Sequence, residues 1–220
     1  NAGSYVVTGM VNEANYEGLA TGTLTIGKAA TAVALGNLSQ THDGTPKPAT
    51  ATTDPAGLTV DFTYDGATNE PIAVGSYAVT GTVNEANYEG SATGTLTISK
   101  GTATVTLEKL AQEYDESAKP ASATTFPAGL VVEFTYDGAT NEPIAVGSYA
   151  VTGTVNDANW QGSSTGTLTI GKGTATIALD GLEHVYDGTE QTATATTVPT
   201  GLVVEITYDG ETNRPVEVGS

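Results

Sequence analysis

Cysteine is absent from the 220 residues, so disulfides supply no stability, which argues against a small disulfide-stapled ectodomain. Basic residues are scarce: seven Lys and Arg stand against twenty-five Asp and Glu, a formal charge of −18. Such a surface disfavours nucleic acid and anionic membrane as partners, favours solubility and leaves cation binding open. The acid is not a tail. Residues 28–99 carry two basic and seven acidic side chains, and residues 100–171 carry three and eight. No apolar run approaches ~18 residues, so no membrane insertion is expected. No stretch shows helical spacing with caps. Phosphate loops, zinc spacings and dinucleotide fingerprints are missing. The only histidines, His42 and His184, do not occupy equivalent positions, so a catalytic or metal site built on either would be unrepeated. No signal peptide opens the chain at Asn1 and no initiator Met precedes it; the expectation is a mature product or a segment of something longer.

What is present is repetition. GSYAVTGTVN occurs at Gly75–Asn84 and again at Gly147–Asn156, with the near copy GSYVVTGMVN at Gly3–Asn12. Gly219-Ser220 would begin a fourth copy, and the lag is 72 residues throughout. A fixed period of this size means tandem copies of one small domain. The frame is 1–27, the C-terminal part of a repeat; 28–99 and 100–171, two complete repeats; and 172–220, the N-terminal part of another. Each copy is near the lower size limit for folding alone, so its core must be well packed or helped by neighbours.

Within 100–171 the alternation has period two. Ala103, Val105 and Leu107 alternate with threonines, as do Gly166, Leu168 and Ile170. Leu130 to Tyr136 and Tyr149 to Val155 alternate likewise. Half-buried strands read this way. Ala118–Thr125 is a weaker fifth strand expected at an edge, with short pieces near Gln112–Tyr114 and Pro143–Val146. Asp137-Gly138 is a turn dipeptide, and Asx-rich loops follow the strands. The expectation is all-β: a tandem array of small immunoglobulin-like β-sandwich domains, about 72 residues per repeat. Two or three residues at Gly27-Lys28, Ser99-Lys100 and Gly171-Lys172 are available as linker, so the array should bend little.

The order of motifs resembles a known family. It includes Tyr186-Asp187-Gly188, the run from Pro127 to Gly138, Val146–Thr152 and Asn156–Gly162. Together these are similar to the "mostly β" (MBG) and YDG-type modules of large bacterial surface proteins and adhesins, over essentially the whole chain. The resemblance implies tandem extracellular modules that form stalks, with no catalytic residues to transfer. Two departures stand out: the first Y-D-G is His42-Asp43-Gly44 in one copy and Tyr114-Asp115-Glu116 in the next, and the aromatic of N-x-A-N-Y is Trp160 in one.

Few chemistries fit. Calcium takes oxygen ligands, and Asp137, Asn141 and Glu142 form one candidate set, with Asn156, Asp157 and Asn159 a second. Ordinary turn chemistry accounts for the same residues, and neither set matches an EF-hand or a nonapeptide calcium repeat. Intramolecular isopeptide bonds need a buried lysine, whereas the recurring Lys28, Lys100 and Lys172 fall at junctions. One Thr-x-Thr pair per repeat is too sparse for an ice-binding face. Trp160 could stack on a sugar, or pack against a neighbouring strand as Tyr16 and Tyr88 would in the same slot. No cofactor is expected beyond the calcium possibility.

The partial repeats at both ends should expose strand edges and half a core. Two arrangements resolve this. Either the chain is a window on a longer covalent array, which the Gly-Ser at both ends favours, or one chain's end completes another's start in a head-to-tail fibre. The functional expectation is a structural stalk or fibre region of an extracellular surface protein, not an enzyme. Its partners would be neighbouring copies of the repeat, in the same chain or in adjacent subunits. The alternative is an adhesin module that binds a glycan or protein through the loops at Asp137–Pro143 or Asn156–Gly162.

Overall fold

A computed structural model describes residues 1–216. The Gly219-Ser220 start of a fourth copy lies outside the described residues. Every regular element among them is a strand. β1 (Gly3–Glu13) and β2 (Tyr16–Ile26) make an antiparallel hairpin with Gly3 opposite Ile26.

The first complete repeat contains β3 (Ala29–Ala30), β4 (Ala32–Gly36), β5 (Ser39–Thr41), β6 (Thr50–Asp54), β7 (Asp61–Tyr64), β8 (Gly75–Asn84) and β9 (Tyr88–Ser99). One layer has the order β3-β9-β8-β7, with β5 also lying parallel along β9. The other layer is the antiparallel pair β4-β6. The second repeat contains β10 (Gly101–Thr102), β11 (Thr104–Glu108), β12 (Ala111–Glu113), β13 (Ser122–Phe126), β14 (Val132–Tyr136), β15 (Gly147–Val155), β16 (Trp160–Gln161) and β17 (Ser163–Gly171). It repeats the plan: a sheet β12-β17-β15-β14, a facing pair β11-β13, and β10 parallel to β16. β18 (Thr176–Asp180) and β19 (Thr194–Val198) are the counterpart of β4-β6 in the last segment.

Alternation places the cores. In β9, Leu96 and Ile98 are fully buried while Thr95 and Thr97 face solvent. They join Val79, Tyr64 and Ala49, with Leu35 and Leu38 packed over them from the smaller layer. Leu168, Ile170, Val151, Tyr136 and Ala121 form the equivalent cluster one period later. Each Leu or Val buried this way contributes about 1.5–3 kcal/mol, which lets a short repeat stand without disulfides. A polar tie fixes one layer to the other. The buried Tyr64 hydroxyl accepts the Ala49 N–H at 2.8 Å, Tyr136 accepts that of Ala121 at 2.8 Å, and Tyr208 accepts that of Ala193 at 2.9 Å.

The Asp-Gly dipeptides turn as their chemistry dictates. Asp137 and Gly138 have φ of 48° and 85°, the left-handed pair of a two-residue hairpin, and Tyr136 and Ala139 exchange both backbone bonds. Two local expectations are corrected. The strand placed at Ala118–Thr125 runs instead over Ser122–Phe126. Lys119 is held by Asp115, Pro120 has no N–H to give, and Ala121 N–H is taken by Tyr136. Pro143–Val146 forms no strand; Pro143 instead accepts the Lys119 N–H in a loop.

Candidate functional site at the joint between repeats

Only Lys100 separates β9 from β10, so the end of one repeat and the start of the next are held face to face. The clamp is the N-x-A-N-[YW] loop of the following repeat. Asp157 Oδ1 accepts the N–H groups of Asn159 at 2.8 Å and Trp160 at 2.9 Å, an Asx arrangement that aims Asn159 across the joint. The Asn159 carbonyl accepts Gly101 N–H at 2.9 Å, and its Oδ1 accepts Val74 N–H of the preceding repeat at 2.9 Å. The same clamp recurs one period earlier. The Asn87 carbonyl accepts Ala29 N–H at 2.8 Å, and Asn87 Oδ1 accepts Ala2 N–H at 2.9 Å. Ala2 and Val74 are equivalent positions.

An aromatic contact closes the joint. Trp160 packs on the Ala103, Val105 and Val155 cluster of its own repeat. Its ring meets His42 of the preceding repeat edge-on, with centroids 5.0 Å apart and planes at 80°. His42 is buried. Its N–H donates to the Ser99 carbonyl at 2.9 Å, and Nδ1 lies 2.8 Å from the Ile72 carbonyl, which holds the proton on Nδ1. Gly101 is required by this closeness: a Cβ there would stand 2.4 Å from the His42 carbonyl oxygen and 2.6 Å from the Trp160 ring.

Beside His42, Asp43 builds a staple. Its Oδ1 accepts both the Thr45 N–H and hydroxyl, and Oδ2 pairs at 2.6 Å with Lys47, whose side chain is almost wholly buried. Asp115, Ser117 and Lys119 repeat the motif, with the Lys119 ion pair at 2.5 Å. The Lys47 and Lys119 ammonium groups, followed by the Thr45 and Ser117 hydroxyls, hold these two carboxyls far below the usual carboxylate range. In the third copy Gln191 replaces the lysine, and Asp187 is lowered chiefly by Thr189.

The structure divides the calcium candidates. Asp137 sits at one end of the β14-β15 pair, where its Oδ1 accepts Ala150 N–H at 2.8 Å; Asn141 and Glu142 are exposed in the loop beyond. Asn156 sits at the other end, with Nδ2 donating to Glu133 at 2.6 Å, next to Asp157 and Asn159 of the clamp. The two sets are not brought together, and no group of three His, Cys, Asp or Glu gathers among the described residues. Trp160 is half-buried in the joint. Lys28 and Lys100 are exposed, donating at 2.6 Å to Asn84 Oδ1 and the Asp157 carbonyl. Lys172 is exposed as well.

The MBG domain matches the chain in four consecutive segments, residues 1–30, 31–102, 103–174 and 175–220. The chain belongs to the MBG domain family. A comparison with curated proteins returned no match. Among solved structures, one similar chain is that of the Sidekick-1 immunoglobulin domains 1–4, at 15% identity and a TM-score of 0.31. That likeness covers 79% of this chain and 59% of the other. Sequence reasoning had the recurring Asn and aromatic of each MBG repeat but not their role. The usable signal was the pair Asn87-Tyr88 and Asn159-Trp160, each followed two residues later by glycine, Gly90 and Gly162.

Proposed function

We propose that this tandem MBG array is a spacer: the semi-rigid stalk or fibre of an extracellular surface protein, with no catalytic role. The observation that carries the proposal is the repeated Asn clamp, which reaches from each complete repeat back to the repeat before it. One intervening residue, the Val74 N–H bond to the Asn159 side chain and the contact of Trp160 with His42 restrict bending at the joint. The recurring clamp Asn and staple Asp side chains are engaged by backbone N–H groups and neighbouring side chains, which suits a scaffold. The −18 charge supports solubility and mutual repulsion between near-identical neighbours that could otherwise cross-pair while folding. Small-angle scattering of the two complete repeats within the full chain tests the proposal. The expected result is an elongated particle whose maximum dimension is unchanged by calcium or chelator. A compact or freely jointed particle would overturn the spacer reading.

A further inference from the structure

A spacer carries load along its length, and the strand directions inside each complete repeat decide how that load is borne. In the first, the chain enters at Lys28 and leaves after Ser99, the last residue of β9. Two early strands, β3 and β5, both lie parallel to β9. β3 pairs at its start, where the Asn87 and Glu89 carbonyls accept the Ala29 and Thr31 N–H groups at 2.8 and 2.9 Å. β5 pairs at its far end, with Ser39, Gln40 and Thr41 opposite Thr97, Ile98 and Ser99. There the Leu38 carbonyl accepts Thr97 N–H at 2.8 Å and the Ser99 carbonyl accepts His42 N–H at 2.9 Å. The second repeat has the same plan. β12 runs parallel to β17, with Ala111, Gln112 and Glu113 opposite Thr169, Ile170 and Gly171. The pair is closed by Thr169 N–H to the Leu110 carbonyl at 2.8 Å and Tyr114 N–H to the Gly171 carbonyl at 3.0 Å.

Tension draws β12 back toward Lys100 and β17 forward toward Lys172. The two strands run the same way, so these pulls oppose each other along one line that lies across the ladder. All the bonds of the pair are then strained together, whereas pulling at an end the strands share would strain one bond at a time. A single ladder bond contributes little, so simultaneous loading is what raises the barrier. Ile98 and Ile170, inside the paired stretches, are fully buried, which keeps water from that face of a bond as it stretches. A side chain resists sliding. Gln40 Nε2 donates to the Asn37 and Pro48 carbonyls, each at 2.9 Å, and Gln112 Nε2 donates to those of Lys109 and Pro120 at 2.9 and 3.0 Å. Pro48 and Pro120 lead into β6 and β13, so each glutamine ties its strand to the segment that enters the smaller layer.

We propose that β5-β9 and β12-β17 are load-bearing latches, sheared by tension and locked by Gln40 and Gln112. This rests on the spacer reading and adds a mechanical function to it: the joints set the shape of the array, and the latches set the force it withstands.

The test is single-molecule force spectroscopy on the full 220-residue chain, whose lack of cysteine lets two introduced thiols define the pulling points. Lys100→Cys with Lys172→Cys loads the second repeat lengthwise. Glu113→Cys with Lys172→Cys peels β12 from β17 at the end they share. All three positions are exposed. At one loading rate the lengthwise geometry should need at least about twofold more force than peeling, because evenly spaced ladder bonds strained together fail together. Gln112→Ala should lower the lengthwise force and leave the peeling force unchanged. A general loss of stability would lower both, so a poorly folded variant is told apart from an unlocked one. Equal forces in the two geometries overturn the latch. A lengthwise force indifferent to Gln112→Ala, or both forces falling together, overturns the part given to the glutamine. Equal forces with an elongated particle in scattering leave the spacer reading standing; a compact or freely jointed particle sinks that reading whatever the force.

Discussion

Single side chains in this molecule earn their place by answering backbone groups. Tyr136 is the clearest case, since its hydroxyl accepts a buried N–H from the opposite layer. Tyr136→Phe keeps the ring and strands Ala121 N–H, so it should cost about 1–3 kcal/mol in urea unfolding of the second repeat. Glu116 is the opposite case. It stands at φ of 71° where the other copies have Gly44 and Gly188. Glu116→Gly should therefore stabilise by about 1 kcal/mol, read as a higher unfolding midpoint. The staple carboxyls make stability depend on pH. Asp43 and Asp115 have folded values below their unfolded ones. Their contribution is full above the unfolded value of about 4 and is lost as pH falls toward the folded values. The thermal midpoint of the parent should drop in that acid range, and the double variant Asp43→Asn, Asp115→Asn should show a shallower drop. A parallel slope in the two proteins would remove the staple from the account.

At the scale of elements, the long strands were legible because Thr alternates with Val, Leu and Ile over eight or more residues. β8, β9, β15 and β17 all follow from that pattern. The two-residue strands β3 and β10 were not legible. They exist only because a neighbouring loop presents carbonyls to them, as Asn87 does to Ala29 and Asn159 to Gly101. The same is true of the joint. Asn159 reads locally as turn chemistry, and nothing within its own window says that its side chain reaches Val74, 85 residues away. The buried lysines were missed for a related reason: Lys47 and Lys119 lie in polar stretches, and only the Asp four residues earlier lets them enter the protein. A substitution at the joint should act on the joint alone. Gly101→Val forces a side chain against the His42 carbonyl and the Trp160 ring. Amide exchange at Val74, His42 and Gly101 should accelerate by at least tenfold, with the core amides of β8 and β15 unchanged. Uniform acceleration across both repeats would mean that the joint is not a separate unit.

For the whole molecule, the period matters more than any one residue. Because each complete repeat is clamped to the one before it by equivalent atoms, those joints should set the same rotation and rise, and reach should grow by a fixed increment per copy. The absence of cysteine makes this directly measurable, since a pair of introduced thiols is the only pair that a spin label can find. Thr82 and Thr154 are equivalent, exposed positions on β8 and β15. Double electron–electron resonance on the Thr82→Cys, Thr154→Cys chain should give one narrow distance distribution, broadened when Asn159→Ala and Trp160→Ala are added. A broad distribution in the otherwise unaltered chain would contradict the claim that the joints are fixed, and with it the spacer.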